Sequence, residues 1–308
     1  MYDYRLMAVA RQFLSRVLLI WLGVTFTIPS VFGDISVVDD AGNNVTLRQP
    51  ARRIISLAPH ATELLYAAGA GDYVVGVVEY SDFPEPARLL PRVGSGAGLD
   101  LEKIAGLRPD LVIAWQSGNP SWQVARLKQL GYTVFVTEPR RIGDVAQLIG
   151  HFGKLAATET AAGETIGKFN RRWENLREQF ALRPPVTVFY QILDNSLLTV
   201  GRQHLISDVI HLCGGTNVFS GLSGLTPRVD MESVLAQNPE VVLASGHEAL
   251  WPAWRDRWLR WPSQTAAARG NIHFIPPDLI HRNSPRILLG AGKVCAAIEA
   301  ARQARSPK

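Results

Sequence analysis

Apolar residues in this chain fall into short continuous runs separated by segments of helical spacing. Ile54-Ile-Ser-Leu57, Tyr73 to Val78, Leu111 to Trp115 and Thr133 to Val136 are four to six residues long, the length and texture of strands buried on both faces. Between them the pattern turns helical. A turn at Pro59 leads into a helix from Thr62 to Ala68 that Gly69 ends, Asp100 caps a helix running to about Gly106, and Gln123 to Leu130 forms a third. Such alternation predicts a parallel sheet with helices on both faces.

From Ile142 to Ala181 no strand candidate appears for 40 residues, and Val145, Leu148, Ile149, Phe152, Leu155 and Ala156 keep helical spacing. The alternation resumes after Pro184-Pro185: strand Val186 to Ile192, helices Leu205 to Cys213 and Asp230 to Ala236, strand Val241 to Ala244, a helix around Trp251 to Trp261, strand Ile272 to Ile275, and a last helix from Pro285 to about Gln303. This order predicts two α/β lobes, residues 34–141 and 182–308, joined by one long helix over 142–181.

An internal repeat supports two lobes. Residues 99–114 align without gaps on residues 229–244, with five of 16 positions identical. In both copies an Asp (Asp100, Asp230) caps a helix, a Pro (Pro109, Pro239) follows its end, and an apolar run forms the next strand. The third helical residue counted from that cap is Glu in both, Glu102 and Glu232. Each either complements the helix N-terminus or offers an acidic knob to a two-fold symmetric partner.

Residues 1–33 stand apart. Arg5, Arg11 and Arg16 precede a 12-residue apolar stretch, Val17 to Ile28, then Pro29 and the small-residue pattern Val31-Phe-Gly33. That is a secretory leader cleaved near Gly33, its apolar core too short to span a bilayer. The net charge of the whole chain is +5; the leader holds three Arg and one Asp, which leaves +3. With no long Lys/Arg block, a nucleic-acid partner is not expected. Hydrophobic residues at 47% and charged ones at 19% describe an ordinary globular protein. In an exported compartment the two cysteines, Cys213 and Cys295, permit one disulfide, the alternative being two buried thiols.

Catalytic signatures are scarce: Gly-x-Ser-x-Gly, His-Glu-x-x-His and the phosphate-binding glycine loops are missing. Gly94-Ser-Gly-Ala-Gly98 precedes a helix opening with Asp100 and Glu102, which repels a phosphate. The seven histidines are scattered, so no metal site is expected. Aromatics are the better clue. Trp115 ends a strand before the polar turn Gln116-Ser-Gly-Asn119, and Tyr80 follows another, at the strand ends where open α/β sheets bind ligands. Trp251, Trp254, Trp258 and Trp261 form a helical stripe suited to packing on a sheet.

Several motifs together resemble a known family. These are Arg53-Ile-Ile-Ser-Leu-Ala-Pro-x-x-Thr-Glu63, Gly76-Val-x-x-Tyr-Ser-Asp-x-Pro84, Leu101-Glu-x-Ile104, Pro109-Asp-Leu-Val-Ile-Ala-Trp115, Leu212-Cys-Gly-Gly-x-Asn-x-Phe219 and Ser284-Pro-Arg286. They resemble the vitamin B12-binding periplasmic proteins of ABC importers, within a wider class that also serves haem and ferric siderophores. The resemblance implies two Rossmann-like lobes with parallel sheets on a single long backbone helix, and little hinge motion. It also implies a non-enzymatic monomer that holds cobalamin or a related corrinoid in the cleft and delivers it to a membrane-embedded ABC permease dimer. Tyr80, Trp115, Asp278 and Arg282 match ligand-contacting positions, Glu102 and Glu232 match permease-docking glutamates, and Cys213 and Cys295 match the family disulfide. Gly96, Leu198 and Thr226 stand where the best-known member carries aromatics, implying a less aromatic cleft. His60 and His281 fall in loops expected to border it, with hydrogen-bonding or surface roles. A haem or ferric-siderophore carrier of the same fold is the alternative, and an exported metal-dependent enzyme a distant one.

Overall fold

The computed structural model describes residues 33–95, 98–192 and 197–305, so the leader expected over residues 1–33 lies, apart from Gly33, outside the described residues. A hairpin comes first, an element absent from the sequence reading: β1 (Ile35–Val38) pairs antiparallel with β2 (Asn44–Leu47). Asp39 closes its turn by accepting from the backbone N–H groups of Ala41 and Asn43. The other Asp39 oxygen accepts from Val136 N, which ties the hairpin to the first sheet.

β3 (Ile54–Ser56), α1 (Pro59–Ala67), β4 (Val74–Val77) and α2 (Leu101–Leu107) follow as the alternation predicts, and between β4 and α2 the glycine-rich stretch, expected to be a flexible loop, forms a two-residue ladder of β5 (Gly94–Ser95) with β6 (Gly98–Leu99). β7 (Leu111–Trp115), α3 (Ser121–Gln129) and β8 (Val134–Thr137) complete the lobe. Helix α1 starts at Pro59 rather than Thr62, because proline is already set for the first helical position and its missing N–H costs nothing there. Thr62, inside the helix, donates to Ala58 O or Ser56 Oγ.

The segment 142–181 is two helices and not one. α4 (Ile142–Ala156) ends at Ala157, whose left-handed φ of 52° stops helical propagation, and α5 (Glu159–Phe180) runs on for 22 residues, about 33 Å at 1.5 Å per residue. The two helices approach closely where Gly153 lies: a Cβ there would meet Ala162 Cβ at 2.5 Å. α5 is the long connector. It packs on α1 of the first lobe and on α6 (Leu205–Leu212) and the last helix, α11 (Ile287–Gln303), of the second.

The second lobe is built from β9 (Val186–Gln191), α6, β10 (Gly215–Asn217), α7 (Met231–Gln237), β11 (Val241–Ala244), α8 (Trp251–Leu259), α9 (Thr265–Ala268), β12 (Ile272–Phe274), α10 (Pro277–Ile280) and α11 (Ile287–Gln303). Both sheets are parallel and share one strand order: β4-β3-β7-β8 and β10-β9-β11-β12. The repeat therefore places β7 and β11 at the same point of each sheet. Asp100 accepts from Lys103 N at 3.0 Å and Asp230 from Ser233 N at 2.7 Å, and both helices end on a left-handed residue, Arg108 and Asn238.

A continuous apolar core runs from α1 and α4 through to α6 and α11, and smaller clusters fill the outer faces of the two sheets. Of the tryptophan stripe, Trp254 and Trp258 are buried and both donate to Gln191 Oε1, at 2.9 and 3.3 Å. Trp251 stacks on Trp254, whereas Trp261 lies past the end of α8 with 41% of its surface exposed. Cys213 and Cys295 form a disulfide that joins the end of α6 to the middle of α11. Residues 34–308 make one compact unit.

Two acids bolt the lobes together across the cleft flanks. Glu63 on α1, its side chain 2% exposed, accepts from Arg282 Nη1 (3.1 Å), Arg286 Nε (2.9 Å) and Ser284 Oγ (2.6 Å), with Arg286 Nη2 closing a two-pronged pair. On the opposite flank Asp208 of α6 accepts from Ile142 N, the first residue of α4, at 2.9 Å. α1 and α6 each follow the first strand of their sheet, so the repeat supplies one bolt per flank.

Replacing both cysteines (Cys213→Ala with Cys295→Ala) opens a link between residues 82 apart and is expected to lower unfolding stability by about 4 kcal/mol. A urea midpoint equal to that of the parent protein would contradict this. Glu63→Gln leaves Arg282 and Arg286 without a buried counter-charge. Its expected cost in the same titration is on the order of 3 kcal/mol, and a loss below ~1 kcal/mol would mean that solvent already screens the cluster.

Candidate functional site

All eight strands of the two four-stranded sheets run parallel, and segments leaving the C-terminal ends of β7, β8 and β12 meet the other lobe. The bolts consist of such segments: Arg282, Ser284 and Arg286 follow β12, and Ile142 follows β8. A pocket of about 210 Å3 opens beside Trp115, walled by Glu138 and Arg140 after β8 and by Gln203, His204 and Thr226 of the second lobe.

Trp115 is held from behind. Its backbone N–H donates to Asn119 Oδ1 at 2.7 Å, and Asn119 Nδ2 donates to Leu57 O at 2.9 Å, so the polar turn locks the strand end. Gly118 lies against the indole, where a Cβ would come within 1.8 Å of the ring. The edge of the His60 imidazole packs at 5.1 Å. With the ring fixed this way, its Nε1–H is buried and has no hydrogen-bond partner among the described residues, although Trp115 lines the pocket. A buried donor without an acceptor costs about 1–3 kcal/mol.

His60 does not lie in a loop; it is the second residue of α1, buried, with Nε2 3.1 Å from Thr137 Oγ1. Burial pushes its pKa down to about 3, so the imidazole is neutral. His281 ends α10 with Nε2 3.0 Å from the Tyr190 hydroxyl, and burial lowers its pKa to about 4, against the opposing charge of Asp278. Both rings are thus engaged in hydrogen bonds inside the protein.

Tyr80 sits on a left-handed backbone (φ 63°) with 76% of its surface exposed. A bulky residue held there is strained, and such strain collects at functional positions. It does not line the Trp115 pocket. Arg282 is mostly buried and serves three carboxylates at once: Glu63, Asp82 (2.5 Å) and Asp278 (3.1 Å). Burial opposes ionisation of Asp82, yet the Arg282 hydrogen bond and charge hold its carboxyl below the ordinary value. Asp278 stays 62% exposed in side chain, so its carboxylate keeps acceptor capacity toward solvent.

Glu102 and Glu232 lie away from this pocket, exposed on the first turns of α2 and α7. Neither carboxylate makes an ion pair among the described residues. Thr226 lines the Trp115 pocket, Leu198 bridges to Arg228 nearby, and Gly96 lies outside the described residues. Trp115 and the His204 imidazole are the aromatic rings that line this pocket.

Glu138 is a site residue the sequence reading did not reach. Its carboxylate is 8% exposed and accepts from Ser117 N (2.8 Å) and Ser117 Oγ (3.1 Å), fixing the loop after Trp115. Its position just past β8, opposite the turn after β7, was the available signal. Among the described residues no three His, Cys, Asp or Glu side chains are grouped as metal ligands. No helix among them is long and apolar enough to cross a membrane.

Comparison with known proteins matches these observations. A vitamin B12-binding protein of Vibrio cholerae is 36% identical over 255 residues, covering 82% of this chain and 91% of that protein. One from Vibrio campbellii is 34% identical over 286 residues, 91% of this chain and 98% of its own length. The crystal structure of the periplasmic vitamin B12 binding protein BtuF of Vibrio cholerae superposes with a TM-score of 0.77 at 36% identity, covering 82% of this chain and 99% of that one. The periplasmic heme-binding protein RhuT from Roseiflexus shares the fold, with a TM-score of 0.71 at 22% identity over 82% of this chain and 99% of its own. The pattern of the periplasmic binding protein family runs from residue 54 to 279, through both lobes and the helices that join them, and this chain belongs to that family.

Proposed function

We propose that this protein captures cobalamin or a related corrinoid in the periplasm and delivers it to an ABC import permease, without chemistry on the ligand. The observation that carries the reading is the Trp115 ring fixed in the wall of the cleft, in a chain over a third identical to vitamin B12-binding relatives along most of its length. In this reading the leader is cleaved near Gly33 and the mature protein works as a monomer. The ring edge enters beside Trp115, Tyr80 covers it from the rim, and Asp278, held by Arg282, accepts hydrogen bonds from the ligand's amides. Such a site is a rigid aromatic wall with a few fixed polar groups.

Haem carriage is the weaker reading. His60 and His281 each already have Nε2 in a hydrogen bond inside the protein, which leaves neither of these two poised as an axial ligand to iron, and the heme-binding neighbour is 22% identical against 36% for the vitamin B12-binding relative. Docking follows from the repeat: Glu102 and Glu232 form a pair of exposed, unpaired acids at equivalent positions, suited to basic residues on a two-fold permease.

Titration calorimetry of the mature protein is expected to show one-to-one binding of cobalamin, with the ligand spectrum after release unchanged by incubation. Trp115→Ala is expected to weaken it about tenfold. Binding of haem but of no corrinoid would overturn the proposal. The variant carrying Glu102→Ala and Glu232→Ala is expected to keep its affinity for cobalamin within about twofold while transport in permease-containing vesicles falls at least about tenfold. A collapse of affinity would instead place these glutamates in the pocket.

A further inference from the structure

Next to the Trp115 pocket the lobes leave a larger groove of about 550 Å3. Arg140 and Arg141, leaving β8, form its first-lobe wall; Arg202, ahead of α6, lines the second-lobe side. Arg140 and Gln203 line both the groove and the pocket, so the two spaces adjoin. Arg140 Nη1 donates to Gln203 Oε1 at 3.0 Å across the boundary.

The charge in this groove is unbalanced. Its one carboxylate, Asp208, already accepts from Ile142 N, and Asp144 close by accepts from the backbone N–H groups of Arg140 and Arg141 rather than from their guanidiniums. Among the described residues none of the three arginines makes an ion pair, whereas Arg282, Arg286, Arg302 and Arg305 elsewhere all do. Three guanidiniums around one concave space suit an anion with several acceptor oxygens, and arginine holds phosphate through paired, charge-assisted hydrogen bonds.

We infer that this groove is an anion subsite of the ligand cleft, and that Arg140, Arg141 and Arg202 receive the phosphodiester of the nucleotide arm that a complete corrinoid carries beside its ring. The inference rests on the corrinoid reading and deepens it: these arginines distinguish a complete corrinoid from the same ring without its nucleotide arm. The macrocycle edge meets Trp115 in the smaller pocket, and the arm passes the Arg140–Gln203 contact into the adjoining groove.

The test compares two ligands on two proteins at physiological salt. Mature parent protein and the Arg141→Gln, Arg202→Gln variant are titrated with cobalamin and with cobinamide, which has the ring but lacks the phosphodiester and base. The expected result is that the variant loses roughly tenfold more affinity for cobalamin than for cobinamide, the size of one charge-assisted contact. Equal losses for the two ligands, as a folding defect would produce, or no loss for either, would overturn the subsite while leaving corrinoid capture standing. If the parent protein binds neither corrinoid, the capture reading fails and the subsite with it. A third arm with haem separates the anion sources: haem bound in place of corrinoid, and weakened by the same variant, would assign the groove to carboxylates and overturn the phosphodiester.

Discussion

The buried carboxylate of Glu63 is the constraint on which the cleft depends. It sits on the first helix of one lobe, yet its partners Arg282, Ser284 and Arg286 come from the last connection of the other, more than 200 residues away. A carboxylate so far from water is tolerable only while its partners stay in place, so separation of the lobes would strand two arginines and an acid together. Arg282 passes the constraint on, because the same guanidinium holds Asp82 on one rim and Asp278 on the other. With Asp208 bonded to the start of α4 on the opposite flank, both sides of the cleft are pinned, and the core continues unbroken beneath them. This arrangement favours a cleft of set width over one that closes on a hinge.

Duplication explains how so short a chain builds two such walls. Asp100 and Asp230 cap equivalent helices, β7 and β11 hold equivalent places in sheets of identical order, and the two bolting acids lie on equivalent helices. The walls then diverge in chemistry. One flank is closed by charge that is fully paired; the other retains three arginines without carboxylate partners beside a groove. Between them Trp115 is immobilised by Asn119, Gly118 and His60, leaving only its N–H unmet.

What could be read along the chain was what is local. Buried parallel strands appear as unbroken apolar runs, and caps and helix ends write themselves in Asp, Pro and Gly, which is why the repeat and seven of the eight strands of the two parallel sheets survive comparison with the structure, the short β10 being the one not read. The break at Ala157 carries no such mark, since alanine favours helix and only the packing of α4 on α5 forces it left-handed. The β1–β2 hairpin is hidden for a related reason: its short strands alternate weakly, and Asp39 gains its role from contact with Val136. Trp115 could be placed at a strand end from its own apolar run and Arg282 was reached only through the family resemblance, whereas Glu63, Glu138 and Arg140 act through partners distant in sequence. His60 fits the same pattern, placed in a loop by its neighbours Pro59 and Thr62 and found buried against Thr137.

The central claim is that a fixed cleft takes a corrinoid with its edge at Trp115. A crystal structure of the mature protein grown with cobalamin tests it most directly. The account predicts the ring in the cleft with its edge in contact with Trp115 and with the Glu63 cluster unchanged. Ligand bound outside the cleft, or lobes rotated apart with Glu63 separated from Arg282 and Arg286, would contradict it.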